Sequence, residues 1–150
     1  NYYDSKSGSI DSWFARDWTT TTYTTDNNVQ KITFDYSWDC KSRDADGSIK
    51  PGIKGYIYAY IDGTEYLIES FDYQRSGGSY EMYWQGSNTK SFSVSSGHHD
   101  IKMRADLSVW VDTDNTCYVS FDWNSYIEQY DDDTVIKIES GSAQWIAIGE

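Results

Sequence analysis

The sequence predicts an all-β domain, an antiparallel sandwich of two sheets. Aromatic residues make up 17% of the 150 residues, and β-branched residues and glycine are abundant, a composition that favours strands over helices. Several segments alternate strictly between apolar and polar residues, which is the period of a strand with one buried face. Turn signals separate these segments by about 8–12 residues, a spacing typical of sandwiches and barrels.

About nine or ten strands are expected from this pattern, arranged as a jelly-roll-like, two-sheet β-sandwich. A closed up-and-down barrel is the alternative architecture. The predicted sandwich domain covers residues 13–150, and a flexible N-terminal arm is expected over residues 1–12, which are mostly polar. A chain of this length is large enough for a single domain with its own core.

The clearest predicted strand covers residues 29–41. From residue 31 onward its odd-numbered positions are polar and its even-numbered positions are apolar, so one face requires cover from a second apolar layer. Aromatic residues that share a face with Ile and Val, such as Phe121 and Trp123, are assigned to the core. The apolar positions of the central strand are Ile32, Phe34, Tyr36, Trp38 and Cys40.

The remaining elements flank this strand. A threonine-rich segment, residues 19–25, is expected to be an exposed or edge strand, because threonine suits a pleated surface and tolerates water. The pair Asp62-Gly63 predicts a type I′ hairpin turn between strands at residues 55–61 and 66–73. A further turn is expected at residues 86–88, and later strands at residues 91–95, 98–112, 117–125, 135–139 and 144–148.

The chain carries 24 acidic and 12 basic residues, for a net charge of −12. Such a surface repels phosphate groups and anionic lipids, which argues against nucleic-acid and membrane-surface binding. No apolar run approaches the roughly 20 residues of a membrane-spanning helix, so membrane insertion is not expected. The acidity suits a cation, a neutral ligand or a basic partner, although solubility alone is an alternative reason for it.

Two cysteines, Cys40 and Cys117, occupy apolar positions of alternating segments. We expect them to form a disulfide, which would place the protein in an oxidising compartment, outside the cell or at the cell surface. Two buried thiols are the alternative, because unbonded cysteines are common in protein cores.

Motifs of catalytic sites are missing from the sequence. It contains no nucleophile elbow, phosphate-binding loop, zinc-protease helix or closely spaced dithiol, and no acidic pair stands out as that of a glycosidase. His98 and His99 are neighbours that would point to opposite faces of a strand, and a solvated turn is their expected setting. The protein is therefore predicted not to be an enzyme.

Aromatic residues on the solvent side of strands predict a carbohydrate-binding surface. A second candidate is the glycine-flanked connection over residues 77–84, whose Tyr80, Tyr83 and Trp84 resemble an adhesive tip. Pyranose rings stack on aromatic side chains, while carboxylate and guanidinium groups bind the hydroxyls. The alternatives are that the tyrosines pair across strands or lie under a loop, and that Trp84 closes one end of the sandwich. The candidate ligand-binding residues are Tyr56, Tyr58, Tyr60, Tyr80, Tyr83, Trp84, Arg104, Asp106 and Trp110.

Two acidic loops next to the cysteine-bearing strands predict a calcium site. One loop, with Asp44 and Asp46, follows the first cysteine. The other, with Asp112 and Asp114, precedes the second, so a bond between the cysteines would place both loops at the same end of the sandwich. Four carboxylates close together require a cation, and such oxygen ligands suit a structural Ca²⁺. The alternative is two solvated acidic turns without an ion.

These features together predict a non-catalytic, extracellular or cell-surface binding module that binds a glycan through exposed aromatic residues. In its acidic, aromatic β-sandwich character the sequence is similar to carbohydrate-binding modules and to other sandwich domains of surface proteins, a resemblance of class. The alternative function is a structural or adhesive domain of a surface assembly, whose partner is a neighbouring surface protein.

Overall fold

The computed structural model describes the backbone of residues 2–7, 13–23, 29–44, 52–74, 81–95, 99–110, 115–129 and 135–148. Side chains are described for residues 31–43, 52–74, 81–95, 99–106 and 116–128, and for Ser142, Gln144 and Ile146. The regular structure in these segments is β-strand, and they contain no helix that could cross a membrane.

The described strands form two sheets. The strands are β1 (Tyr2–Ser7), β2 (Trp13–Tyr23), β3 (Val29–Asp44), β4 (Gly52–Ile61), β5 (Thr64–Gln74), β6 (Glu81–Ser93), β7 (His99–Trp110), β8 (Asn115–Gln129) and β9 (Val135–Ile148). Their order is β1-β9-β8-β3-β6 in sheet A and β2-β7-β4-β5 in sheet B, and all pairs are antiparallel except β1 with β9. This confirms the predicted all-β fold with two antiparallel sheets, and it fits a β-sandwich. The threonine-rich strand, β2, lies at a sheet edge, as predicted.

The core lies between the two sheets, on the faces where apolar residues alternate. In β3 the even-numbered residues 32–40 are buried, and β8 adds Phe121 and Trp123, which confirms the core positions predicted for these aromatic residues. The hydroxyl of Tyr36 crosses between the sheets and donates a hydrogen bond of 3.2 Å to the carbonyl oxygen of Ile68. Sheet B contributes Ile53, Ile57, Ala59, Ile61, Ile101, Met103 and Ala105.

Stacked aromatic rings close the sandwich along the β5 and β6 edges. Trp38 stacks on Phe71 with ring centres 5.4 Å apart, and Phe71 stacks on Tyr73 at 5.2 Å. Tyr73 stacks in turn on Trp84 at 5.2 Å, and its hydroxyl accepts a hydrogen bond of 2.9 Å from the Trp38 indole. These four residues, called the aromatic seam, hold the edge of sheet A against the edge of sheet B.

Two glycines make room for the aromatic seam. Gly86 lies opposite Trp38 in the β3–β6 pair. Gly55 lies opposite Phe71 in the β4–β5 pair. A Cβ atom on either glycine would lie only 2.2 Å from the nearest ring carbon. Each ring therefore lies directly on a glycine of the neighbouring strand, in space that any larger residue would fill.

The glycine contacts correct two predicted breaks in the sheet. No turn occurs at residues 86–88, because β6 continues through Gly86 as one strand. Glycine often marks a turn through its conformational freedom, but here it is needed for the close approach of Trp38. Likewise β9 is one strand where two short strands were predicted, and Gly141 in its middle lies opposite Trp123.

The first strand lies within the segment that was predicted to be a flexible arm, residues 1–12. β1 pairs in parallel with β9, from Tyr2 opposite Ala143 to Ser7 opposite Ile148. The two strands are far apart in the sequence, so no local sequence pattern predicts that they pair. Residues 2–7 therefore form an edge strand of sheet A.

The predicted disulfide between Cys40 and Cys117 is not formed, although both are described residues and both are buried. In the β3–β8 pair Cys40 lies opposite Val119, and Cys117 lies opposite Ser42. The cysteines are therefore diagonal neighbours, a relation that separates Cα atoms by about 7–8 Å and exceeds the usual span of a disulfide. Burial raises the pKa of the Cys40 thiol, which keeps it protonated.

Candidate functional site

The outer face of sheet A, called face A, carries side chains in rows that cross four strands. Residues directly opposite one another in β6, β3, β8 and β9 share a row. The first, called the tyrosine row, is Tyr83, Lys41, Tyr118 and Ile146. The next, called the amide row, is Gln85, Asp39, Ser120 and Gln144. Together these two rows line a groove of about 450 Å³.

The depression continues beyond the amide row because the next side chains are small. A second depression of about 460 Å³ shares Asp39 and Gln85 with the groove, and it is lined further by Ser37, Ser87 and Gly86. Face A therefore offers a trough with aromatic groups at one end and with hydroxyl, amide and carboxylate groups along its length.

A lysine lies at the aromatic end of the groove. The Nζ atom of Lys41 is 4.7 Å from the centre of the Tyr118 ring and 5.9 Å from that of the Tyr83 ring, which are distances of cation–π contacts. Among the described residues, no carboxylate lies within salt-bridge distance of this nitrogen. The charge of Lys41 is thus placed on two aromatic rings rather than beside an acid.

The neighbouring acid, Glu81, is engaged by other groups. Arg43 donates to Oε1 of Glu81, with its Nε atom 2.7 Å away, and the Tyr83 hydroxyl donates to Oε2. These bonds, first that from Tyr83 and then that from Arg43, lower the pKa of the Glu81 carboxyl. The same contact raises the pKa of Tyr83. Both oxygens of Glu81 therefore have partners other than Lys41.

The outer face of sheet B, called face B, brings together the residues of the predicted tyrosine surface. The Arg104 guanidinium lies 4.3 Å from the centre of the Tyr58 ring and 5.7 Å from that of the Tyr60 ring. It also pairs with Asp106 at 3.0 Å and with Glu65 at 4.0 Å. The side chains of Arg104 and Asp106 are 14% and 8% exposed, so this cation is both paired and covered.

The tyrosine stripe on face B is half-buried. Tyr56, Tyr58 and Tyr60 each lie opposite a polar residue of β7, in keeping with the alternative that they pair across strands. The Tyr60 hydroxyl donates a hydrogen bond of 2.5 Å to Glu65 Oε2. Burial, together with this bond, raises the pKa of Tyr60 to about 12. The Tyr58 and Tyr60 rings thus contact Arg104, and Tyr60 also borders a depression of about 420 Å³ with Asp62, Gly63, Asp100 and Lys102.

The other predicted aromatic ligands occupy different places. Tyr83 is 67% exposed and lines the groove on face A. Trp84 borders the groove but stacks on Tyr73 in the aromatic seam, in keeping with the alternative that it closes the sandwich. Trp110 ends β7 with its side chain outside the described residues, and Tyr80 lies wholly outside them.

The predicted calcium ligands lie beyond the described side chains. Asp44 ends β3 opposite Asn115, the first residue of β8, so the ends of these two strands are adjacent. The side chain of Asp44 and all of Asp46, Asp112 and Asp114 lie outside the described residues. Within the part of the chain that is described, no group of three or more histidine, cysteine or acidic side chains is placed to hold a metal ion.

A buried histidine corrects the solvated turn predicted for His99, whereas His98 lies outside the described residues. His99 is buried at the start of β7, with Nδ1 2.7 Å from Asp62 Oδ2 and Nε2 2.6 Å from the Ser95 carbonyl oxygen. Both ring nitrogens face acceptors, which favours the imidazolium. Burial lowers the pKa of His99, but the bonds to Asp62 and Ser95 and the Asp62 charge outweigh it, and the pKa is raised.

The turn that holds this histidine is present as predicted. Asp62 and Gly63 have φ angles of 52° and 82°, the positive values that a type I′ turn requires. The Asp62 carboxylate also accepts a hydrogen bond of 2.9 Å from the backbone N–H of Asp100. His99 therefore joins the β4–β5 hairpin to the start of β7 and has a structural role.

Sequence reasoning missed most of the groove. Lys41, Asp39 and Ser120 lie on the polar phases of β3 and β8, where charged and hydroxyl residues are ordinary. A usable signal was Tyr118, an aromatic residue on the solvent side of an alternating strand, which is the same feature that marked Tyr58. The remaining lining residues are brought to the groove by strand pairing, which the sequence does not display.

No protein-family model and no curated protein matches the chain. Among solved structures, it is similar to the CFA/I adhesin CfaE of enterotoxigenic E. coli, with 6% identity and a TM-score of 0.40 over 100% of this chain and 46% of that one. A second CfaE structure gives 8% identity and a TM-score of 0.36 over 97% and 45% of the two chains. The N-terminal domain of PorA gives 6% identity and a TM-score of 0.41 over 95% and 86%. The chain thus spans less than half of the CfaE chains, and at such low identities and TM-scores these likenesses carry no information on what it binds.

Proposed function

We propose that the chain is a non-catalytic binding module of an extracellular or cell-surface protein, and that its groove on face A binds a glycan. The observation that carries this proposal is the tyrosine row beside the amide row, in a groove of about 450 Å³. Two tyrosines, Tyr83 and Tyr118, stand at one side of hydrogen-bonding groups that a sugar can satisfy. The size of the groove falls within the range of small-molecule sites, about 300–1,000 Å³.

The chemistry of the two rows suits a polyhydroxylated ligand. Tyr83 is 67% exposed and offers apolar ring surface to the C–H groups of a pyranose. The Gln85 and Gln144 amides can each donate and accept a hydrogen bond, and the Asp39 carboxylate accepts bonds from hydroxyl groups. The second depression adds the Ser37 and Ser87 hydroxyls, so the trough has room for more than one sugar unit.

The finer topology is part of the same proposal: we propose a jelly roll with one added strand. The order β2-β7-β4-β5 in sheet B is that of one sheet of an eight-stranded jelly roll. Sheet A has the strand order of the second sheet of a jelly roll, with β9 inserted between β1 and β8.

Calcium binding at the acidic loops remains a proposal. Localisation outside the cell now rests on the proposed ligand, because the disulfide that suggested it is not formed.

Affinity electrophoresis in soluble polysaccharides, followed by an array of plant, microbial and animal glycans, tests glycan binding. Tyr118→Ala should weaken the binding of a retained glycan about tenfold, since it removes a stacking surface. Tyr58→Ala is the matched control, a tyrosine on face B that is covered by Arg104, and it should leave binding unchanged. If no glycan retards the chain, the proposal fails, and a structural or adhesive domain that binds a neighbouring surface protein becomes the better hypothesis.

A further inference from the structure

We infer that the groove takes a sugar that carries a carboxylate group, and that this group binds at Lys41. This ligand class presupposes the proposed function, glycan binding on face A. Among the described cations of face A, Arg43 pairs with Glu81, and Lys31 lies 3.6 Å from Glu128. Lys41 differs, because no described carboxylate is within salt-bridge distance of it. In a chain with twice as many acids as bases, such a lysine in a groove is an exception.

The groups around Lys41 explain why no described carboxylate forms a salt bridge with it. Both oxygens of Glu81 are bonded, by Arg43 and by the Tyr83 hydroxyl, so Glu81 cannot turn to Lys41 without losing a bond. The two tyrosine rings stabilise the ammonium group by their π faces and leave its N–H donors to an acceptor in the groove. An anionic group of a ligand would supply the missing counter-ion.

Asp39 provides the complementary half of the site. It lies two residues before Lys41 on the same face of β3, which separates the two backbone positions by about 7 Å. Asp39 is exposed and makes no ion pair with the described residues. A pyranose has a similar width, so its carboxylate can reach Lys41 while hydroxyls on its other side bond Asp39, Gln85 and Gln144.

The net charge of −12 does not decide this contact. Salt screens exposed charges over about 10 Å at 0.1 M, so distant acids act weakly on a bound sugar. The groups within that distance include Lys41, which makes no salt bridge with a described residue, Glu81, whose carboxylate interacts with the Lys41 charge at longer range, and Asp39, whose oxygens accept hydroxyl hydrogens. A neutral sugar would leave Lys41 without a counter-ion, and a cationic sugar would meet it as a like charge.

Calorimetric titration of the whole chain with matched pairs of sugars tests the inference. The probes are oligogalacturonate, oligoglucuronate, alginate oligomers and sialylated oligosaccharides, each as the free acid and as its methyl ester, alongside the neutral glycans retained in electrophoresis. The acid of at least one pair should bind about tenfold tighter than its ester, the size of one charge-assisted hydrogen bond. Lys41→Gln should abolish this preference, whereas Lys41→Arg should keep most of it.

The control is Lys90→Gln, which changes the net charge equally at an exposed position of β6 outside the groove, and it should bind like the parent. Equal binding of acid and ester, or an acid preference that survives Lys41→Gln, would overturn the inference and leave glycan binding intact. Binding of neutral glycans alone would likewise overturn the inference and leave the proposal of glycan binding intact. Failure of every glycan, neutral and acidic, would instead refute the proposed function and the inference with it.

Discussion

Each outer face of the sandwich holds a cation over tyrosine rings, and the two sites differ in what accompanies the cation. On face B, Arg104 lies 4.3 Å from a tyrosine ring centre and 3.0 Å from the Asp106 carboxylate. On face A, Lys41 lies 4.7 Å from a tyrosine ring centre, and no described carboxylate is at salt-bridge distance. The cation of face B is thus paired within the protein, whereas Lys41 and Asp39 on face A make no ion pair with the described residues.

The same local pattern underlies both faces. In each case a basic and an acidic residue lie two positions apart on one strand, Arg104 with Asp106 and Lys41 with Asp39. The guanidinium carries five donors in a fixed fork and can bond a carboxylate while it covers a ring, but the ammonium is a compact point charge. An aromatic stripe beside a charged pair therefore does not identify a binding face until the pairing of the charges is known.

The largest expected effect separates the two aspartates. Asp106→Ala removes the partner of a covered cation, so we expect the free energy of unfolding to fall by about 3 kcal/mol. Asp39→Ala, at an exposed position, should change it by less than about 0.5 kcal/mol. Urea unfolding measures both. Equal losses of stability in the two variants would contradict the distinction between the faces. In glycan-retention experiments we expect the opposite order, with a larger loss of binding in Asp39→Ala than in Asp106→Ala.

A smaller effect tests whether the close contact of Trp38 with Gly86, under the trough of face A, is needed for stability. Gly86→Ala would force a methyl group against Trp38, whose other side is packed on Phe71, and such overpacking should cost about 2 kcal/mol of stability. Ser87→Ala, the next residue and one that lines face A, is the control, with an expected change below about 0.5 kcal/mol. Urea unfolding followed by tryptophan fluorescence compares them. Unchanged stability in Gly86→Ala would show that Trp38 does not need this glycine.

The smallest effect is a pH dependence at the end of sheet B. The folded state raises the pKa of His99 above its ordinary 6.5, so the stabilisation is complete below that value and is lost as pH rises through the folded-state pKa. We expect the free energy of unfolding to decrease as the pH rises through the folded-state pKa of His99. His99→Gln should remove the dependence, and His98→Gln should retain it. Urea unfolding at a series of pH values is the measurement, and a slope that survives in His99→Gln would contradict the assignment.

Glycan binding over the same pH interval extends the comparison to face A. The described lining of the groove contains no histidine, so the affinity should stay constant where the stability of sheet B falls. A parallel change in affinity and stability would show that the two faces are coupled through the core.

The sequence predicted those features that depend only on residues close together in the chain. Alternation relates residues two positions apart, so the buried phase of β3 and the core position of Trp123 followed from the residues themselves. The Asp62-Gly63 turn did so too, because its backbone angles depend on those two residues. The all-β class with two antiparallel sheets is the sum of such local preferences.

Glycines and cysteines show where local rules stop. Residues 86–88, Gly-Ser-Asn, are of types that are common in turns. Gly86 instead lies against the ring of Trp38 on the neighbouring strand, and this contact explains why a glycine occurs in an extended strand. Cys40 and Cys117 share a buried face as expected, yet the register of β3 against β8 makes them diagonal neighbours instead of a bonded pair. A shift along the strand changes such a distance without changing the alternation.

By itself the sequence determined which residues face inward, and it selected Tyr83 as a candidate ligand-binding residue, although on a connection and not on β6. Only the tertiary structure decided that Tyr83, Lys41 and Tyr118 lie in one row across three strands, and that Arg104 packs on the Tyr58 ring. The physical reason is that a binding surface on a sheet is made across strands. The rows of side chains on such a surface join residues that are distant in sequence. Whether a basic side chain in a row can bind a ligand depends on whether an acidic side chain from another strand already pairs with it.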